Sequence, residues 1–278
     1  SVFIRLMQLP SAFDLHTSDT SLLVNFSTKY SHYIDAYFKG IDFSNEALVR
    51  LPQYEEKISF FFNYLLRQQP DTLIRCFDLF LARSEANNEV YKFNLRWLFR
   101  NYYNRYESKT YEPCFIYLVD KYYMKGKAFW AKDAFIKLLA ERVEMMRPTL
   151  YGAKAPDLKL ITNTGITFSL YQVQSPFTVL YFYEYDCGYC RIETPKLLEL
   201  YSKYKGKVEV VGVYMLADKI KWQEYIERNK LKWINVHDPI KESNIRDRYF
   251  IQKVPTIYLL DKDKRVLEKR VSADELKD

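Results

Sequence analysis

Through the first half of the chain, apolar residues recur every three or four positions; in the second half they form alternating or continuous runs. Leu22, Leu23, Phe26, Tyr30, Tyr33, Ile34 and Tyr37 keep to one helical face and stop at Gly40. The same spacing predicts a helix over 54–69, ended by Pro70. The next is predicted to open with Asp71 as its cap and to carry Leu73, Phe77, Phe80 and Leu81 on one side. Further helices are predicted over 89–106, 114–123 and 131–146, the last stopped at Pro148. Residues 1 to 20 show weak periodicity and read as an extended lead-in. Short connections between helix pairs imply an all-helical array over 1–150, its aromatic stripes serving as core.

The break comes at 148–156, where two prolines, a glycine and small residues replace the helical pattern. Beyond it the chain reads as α/β over 151–278. A hairpin is predicted from 157–162 and 166–170 across Asn163-Thr164-Gly165. A strand over 177–183 leads into a helix marked by Ile192, Leu197, Leu198 and Leu200. A β-branched strand over 208–215 follows, then a helix over 216–229 with Ile220, Tyr225 and Ile226 inward. A short strand over 233–236, a helix over 242–250 and a closing hairpin of 256–260 with 265–269 complete the pattern. The last residues, from Ser272 or Ala273, look like the start of a helix cut short.

Composition narrows the function classes. A length of 278 residues fits two domains, and 48% hydrophobic content is ample for two cores. The net charge of +7 is spread among alternating signs with no dense basic run, which argues against nucleic acid as a partner. Twenty-five Tyr and 19 Phe against 7 Gly favour packed aromatic interiors over a loop-rich, disulfide-stapled module. No apolar segment reaches transmembrane length. The chain opens at Ser1 with no Met and no leader, a start compatible with a mature exported protein.

Chemistry concentrates at Cys187-Gly188-Tyr189-Cys190, between the 177–183 strand and the helix after it. That order places Cys187 at a helix N-terminus, where unpaired amides and the positive end of the helix dipole favour a thiolate. Cys190 follows one turn later, within disulfide reach. Cys76 shares a helix face with Leu73, Phe77 and Phe80 and reads as a buried structural thiol. Cys114 follows Pro113 at a predicted helix start, a place that lowers a thiol pKa, although a structural role is favoured. A Cys76–Cys114 disulfide stays open on spacing alone. His16, His32 and His237 are scattered, and the C-x-x-C has no second pair or His at zinc spacing, so no metal site is expected.

Residues 155–278 resemble the TlpA/ResA-like thiol-disulfide oxidoreductases of the bacterial envelope, which have the thioredoxin fold. The resemblance rests on the Ala155-Pro156-Asp157 lead-in with its hairpin, the C-x-x-C, Pro195, and Val254-Pro255-Thr256 before a strand. It implies that Pro195 kinks the active-site helix. It also implies a cis Pro255, whose loop with Val254 abuts the sulfurs and pairs with substrate backbone. The helical half, with Tyr54-Glu55-Glu56-Lys57-Ile58 and 151–156, resembles the uncharacterised N-terminal domain joined to such enzymes in Gram-negative anaerobes.

The resemblance implies a redox-active disulfide and no other cofactor, exchanging with disulfide or dithiol proteins and restored by an upstream reductant. Cys187 would attack and Cys190 resolve. Glu193 lies on the helical face of Cys190 and matches the family's acidic residue; it is the candidate proton acceptor, against the alternative of an ordinary first-turn glutamate. Glu184 is next, because the buried aspartate of plain thioredoxin falls at Tyr181 here. Gly188-Tyr189 supplies no cation and Asp186 is acidic, which points to a reductant or isomerase rather than an oxidant. Two other readings stand beside this one. A peroxiredoxin-type peroxidase wants Thr or Ser where Glu184 stands. A non-catalytic interaction protein would use its helical half for binding.

Overall fold

Proline sets the first turn of two helices in the N-terminal half, where its missing N–H costs nothing and its fixed φ is already helical. α1 (Pro52–Phe60) opens on Pro52 and α2 (Pro70–Ser84) on Pro70. Asp71 is therefore not the cap of α2. Gln69 holds that position without a side-chain bond, and Asp71 lies in the first turn, where the dipole favours its charge. The computed structural model describes residues 32, 34–238 and 243–276. The predicted lead-in, most of the 22–37 helix, His16, and Glu242 at the start of the predicted 242–250 helix lie outside them. Two compact units divide the chain, residues 1–140 and 141–278.

In the first unit α1 gives way to one wide π turn, Phe61–Leu65, instead of running on to 69. The wide turn buries the consecutive residues Phe61 and Phe62 together. α3 (Asn88–Tyr103) is capped by the Asn87 side chain, which accepts from the amides of Glu89 and Val90. α4 (Tyr111–Leu118) also passes into a π turn, Val119–Tyr123, and α5 (Asp133–Met146) follows, running past Ala140, where the first unit ends. The core is aromatic: Phe77 meets Tyr102 edge-on at 4.7 Å, and Phe62 meets Phe80 at 5.3 Å. The buried Tyr54 hydroxyl donates to Asn94 Oδ1 at 2.9 Å. The Asp78 carboxylate gathers the hydroxyls of Tyr117 and Tyr122 and the ammonium of Lys121.

The second unit is a seven-stranded sheet in the order β2-β1-β5-β4-β3-β6-β7. Its strands are β1 (Lys159–Thr162), β2 (Thr167–Ser169), β3 (Phe177–Tyr183), β4 (Val208–Tyr214), β5 (Ile234–His237), β6 (Thr256–Leu260) and β7 (Val266–Lys269). β3 runs parallel to β4 and antiparallel to β6; β4 and β5 are parallel, and the two hairpins flank them. Six of the seven β3 residues are buried, because both faces are covered. Leu180 and Phe182 pack with Tyr249 and Tyr258 on one face. Val179, Tyr181 and Tyr183 pack on the other, against α6 (Gly188–Lys203) and α7 (Lys219–Asn229).

Two expectations shift at this level. α7 starts at Lys219 with Asp218 as its cap, and Ile220 points outward at 73% exposure. Tyr225 and Ile226 face inward as expected, joined by Trp222 in place of Ile220. Residues 273–276 form turns rather than a helix, and Ser272 is tied to the Glu275 carboxylate. The helix after β5, α8 (Ile245–Arg248), is a single turn. Gly212 on β4 marks a close approach: an added Cβ would stand 2.8 Å from the Trp233 indole nitrogen and 3.2 Å from Asn235 Oδ1.

Candidate active site

β3 ends at Tyr183, and five residues on the chain turns into α6 with Cys187 as its N-cap. The cap position is what exposes the sulfur to the helix amides: Cys187 Sγ accepts the Cys190 N–H at 3.1 Å. A thiolate in that place would meet an oriented N–H and the positive end of a sixteen-residue helix. The Cys187 thiol in turn reaches the Val254 carbonyl oxygen at 3.6 Å. Val254-Pro255 is a cis peptide, and the Val254 contact sets the loop before β6 against the cysteine. Gly188 and Tyr189 are exposed, Tyr189 at 74%, and Ile192 stands exposed beside them at 56%. Pro195 sits within α6 on its exposed side, where it removes the amide that would bond one turn back.

Cys190 is fully buried on the face of the sheet that carries Tyr181 and Tyr183. Burial, and then the hydrogen bond with Cys187, push its thiol well above the ordinary range. The Glu184 amide and the Tyr181 hydroxyl work the other way. The pair is thus asymmetric, with one sulfur part-exposed at a helix tip and the other sealed beneath it. Both are free thiols here.

Glu193 has been drawn elsewhere. Its carboxylate accepts the Ala273 N–H at 2.6 Å and the Lys196 ammonium at 3.3 Å, and Lys196 also bonds Asp274 at 2.6 Å. These contacts bind the segment after β7 to α6; none of them is with a cysteine. Glu184 is paired with Arg246 at 2.8 Å. What lies beneath Cys190 is a set of hydroxyls that the sequence reading did not single out. Tyr181 Oη donates to the Cys190 carbonyl at 3.1 Å and meets Thr194 Oγ1 at 2.9 Å, and Thr194 Oγ1 meets Tyr225 Oη at 2.8 Å. Thr194 was findable, since it lies four residues after Cys190 and so on the same helical face.

The remaining cysteines stand apart from this site. Cys76 and Cys114 are wholly buried free thiols, and no disulfide joins them. Cys114 lies inside α4 rather than at its tip, and burial pushes its thiol up to about 12, opposite to the lowering that a helix start implies. Cys76 is pushed up to about 12 for the same reason. His237 is buried against Trp222, with ring centroids 4.4 Å apart, and burial lowers its pKa. Among the described residues no cluster of His, Cys, Asp or Glu has the arrangement of a metal site, and no helix is long and apolar enough to cross a membrane.

With the geometry in hand, residues 151–269 match the AhpC/TSA family. The thiol-disulfide oxidoreductase ResA of Bacillus cereus is 30% identical over 119 residues, which is 42% of this chain and 68% of that protein. A thioredoxin-like protein of Haemophilus influenzae is 34% identical over 102 residues, 36% of this chain and 58% of that one. Among solved structures, a thioredoxin-like protein from Bacteroides caccae superposes with a TM-score of 0.70 at 18% identity. The match covers 97% of this chain and 96% of that one, a likeness of fold.

Proposed function

The chain belongs to the ResA-like thiol-disulfide oxidoreductases, and on that premise we propose that it reduces or isomerises protein disulfides in the bacterial envelope through Cys187 and Cys190. The observation that carries the reading is the position of Cys187. Its sulfur accepts a helix-tip amide, touches the Val254 carbonyl and lies above a buried second thiol. Thiolate at Cys187 attacks one sulfur of a substrate disulfide; a Cys187–substrate bond forms and the substrate bond breaks, releasing a thiolate. Thiolate at Cys190 then attacks Cys187 Sγ. The 187–190 disulfide forms, the second substrate sulfur departs, and two electrons have passed to the substrate. A dithiol protein upstream returns them.

Supporting parts follow from what each touches. The Val254-Pro255 loop offers backbone beside the reacting sulfur, Gly188 and Tyr189 shape the exposed rim, and Pro195 frees a carbonyl within α6. Glu193 serves by anchoring the 273–274 segment to α6 rather than by taking a proton from Cys190. We assign residues 1–150 to a helical domain and 151–278 to the thioredoxin-like domain, an assignment supported by a family match that starts at residue 151.

The test is a trap. Cys190→Ser protein incubated with disulfide-bearing envelope proteins should accumulate mixed disulfides through Cys187, visible as dithiothreitol-sensitive adducts; a scaffold without exchange chemistry gives none. The direction of electron flow is a separate measurement. Gly188 and Tyr189 place no cation between the sulfurs, and Asp186 is an exposed acidic neighbour. The expected reduction potential is near that of reducing thioredoxins, about −270 mV, and a value near about −120 mV would reverse the assignment. The AhpC/TSA match raises a peroxidase as the second reading. Glu184, three residues before Cys187 and ion-paired with Arg246, occupies the place where that chemistry needs a hydroxyl, so peroxide should not be turned over.

A further inference from the structure

The Cys190 carbonyl can only accept, so the Tyr181 hydrogen is committed toward Cys190. Thr194 must then donate to Tyr181, and Tyr225 to Thr194, if all three contacts are to hold. Tyr225 gives one hydrogen, Thr194 and Tyr181 each give one and receive one, and the whole chain Tyr225–Thr194–Tyr181 points its positive end at Cys190. All three side chains are buried, at 1% exposure or less. In such surroundings aligned hydrogen bonds polarise one another and act on charge more strongly than in water.

We propose that this hydroxyl chain is the donor that holds negative charge on the Cys190 sulfur while it resolves the mixed disulfide. To do so the Tyr181 hydroxyl, which rests on the Cys190 carbonyl, turns toward the sulfur of the same residue; both side chains lie in one buried cluster. It gives a hydrogen bond and not a proton: burial holds the phenol far above its ordinary range, so it neither ionises nor serves as a base. The balance is closed within the exchange. The Cys190 sulfur forms the bond to Cys187 as the Cys187–substrate bond breaks, and the proton that Cys190 gives up ends, by way of solvent, on the departing substrate thiolate. Tyr181 is the group that turns to the sulfur; Thr194 and Tyr225 are positioning residues that orient it. The role stands where the sequence puts Tyr181 in place of a buried carboxylate, and it rests on the dithiol reading above.

The experiment uses the full chain as a reduced dithiol, mixed with a small aromatic disulfide whose leaving thiolate is coloured. The first burst of colour reports attack by Cys187 and the second reports resolution by Cys190. In Tyr181→Phe the second phase at pH 7 should slow by about tenfold, the scale of one hydrogen bond to a charged group. Its pH midpoint should move upward, and the first phase should stay within about twofold. Thr194→Val should give a smaller change of the same kind, and Thr194→Ser should restore wild-type rates. It also carries the test from mid-chain should Tyr181→Phe fail to fold. Unchanged second-phase midpoints in Tyr181→Phe and Thr194→Val overturn the proposal, and so does equal slowing of both phases, which is what general loosening of the fold would do. A wild type with no second phase at all sinks the dithiol reading itself, so the two failures are told apart.

Discussion

Cys187→Ser protein should fold as the wild type does and exchange no disulfides. Reduction of insulin by dithiothreitol should proceed in its presence at the rate of the reagent alone. An alcohol cannot replace the thiolate as nucleophile, and removing an enzyme's nucleophile costs several orders of magnitude. The substitution is mild for structure. The sulfur is part-exposed, and serine keeps the cap, since its oxygen can accept the same Cys190 amide. An activity loss accompanied by an unchanged unfolding midpoint is therefore the expected pair of results. Residual catalysis above the reagent rate would mean that Cys190 attacks directly, and the asymmetric roles given to the two sulfurs would be wrong.

Alkali should unfold the protein sharply. Cys76 and Cys114 are wholly buried, with thiols pushed up to about 12, whereas an unfolded thiol titrates near about 8.5. Tyr54, Tyr102, Tyr122 and Tyr123 are also raised by burial. The sign is fixed by which state holds the proton. Each group keeps its proton longer when folded, so its stabilising share is intact below the unfolded pKa and is lost as pH climbs toward the folded one. By pH 11 each of the two thiols would cost roughly 3 kcal/mol, against a whole-protein stability of about 5–15 kcal/mol. Absorbance at 295 nm should therefore rise cooperatively, together with loss of helical ellipticity, instead of gradually around pH 10. A smooth tyrosinate titration with the ellipticity intact would show that these side chains reach water in the folded protein.

The main features were legible wherever a local rule was strong. The C-x-x-C between a continuous apolar strand and a helical run located α6, and its Cys187 cap followed from that order alone. The helix–sheet switch was equally plain in periodicity. Less legible were features set by contacts across the fold. Ile220, five and six residues before Tyr225 and Ile226, falls off their face of α7; Trp222, three and four before them, takes it, and its indole donates to the buried Tyr183 hydroxyl at 2.9 Å. Glu193 lies on the helical face predicted for it, but the backbone of Ala273, eighty residues later, claims its carboxylate. Nothing near position 193 encodes that. The π turns after α1 and α4 likewise answer to where aromatic rings must go, a demand of packing that one-dimensional spacing does not carry.

The burial of three sulfurs has a practical consequence. Folded dithiol protein should take up a single alkyl group from a bulky maleimide, at Cys187, while Cys76, Cys114 and Cys190 stay closed to it. Those three can be labelled only when the structure around them opens, and they are divided between the units, two in residues 1–140 and one in residues 141–278. Mass spectrometry of timed labelling would then read the opening rate of each unit separately within one unmodified chain.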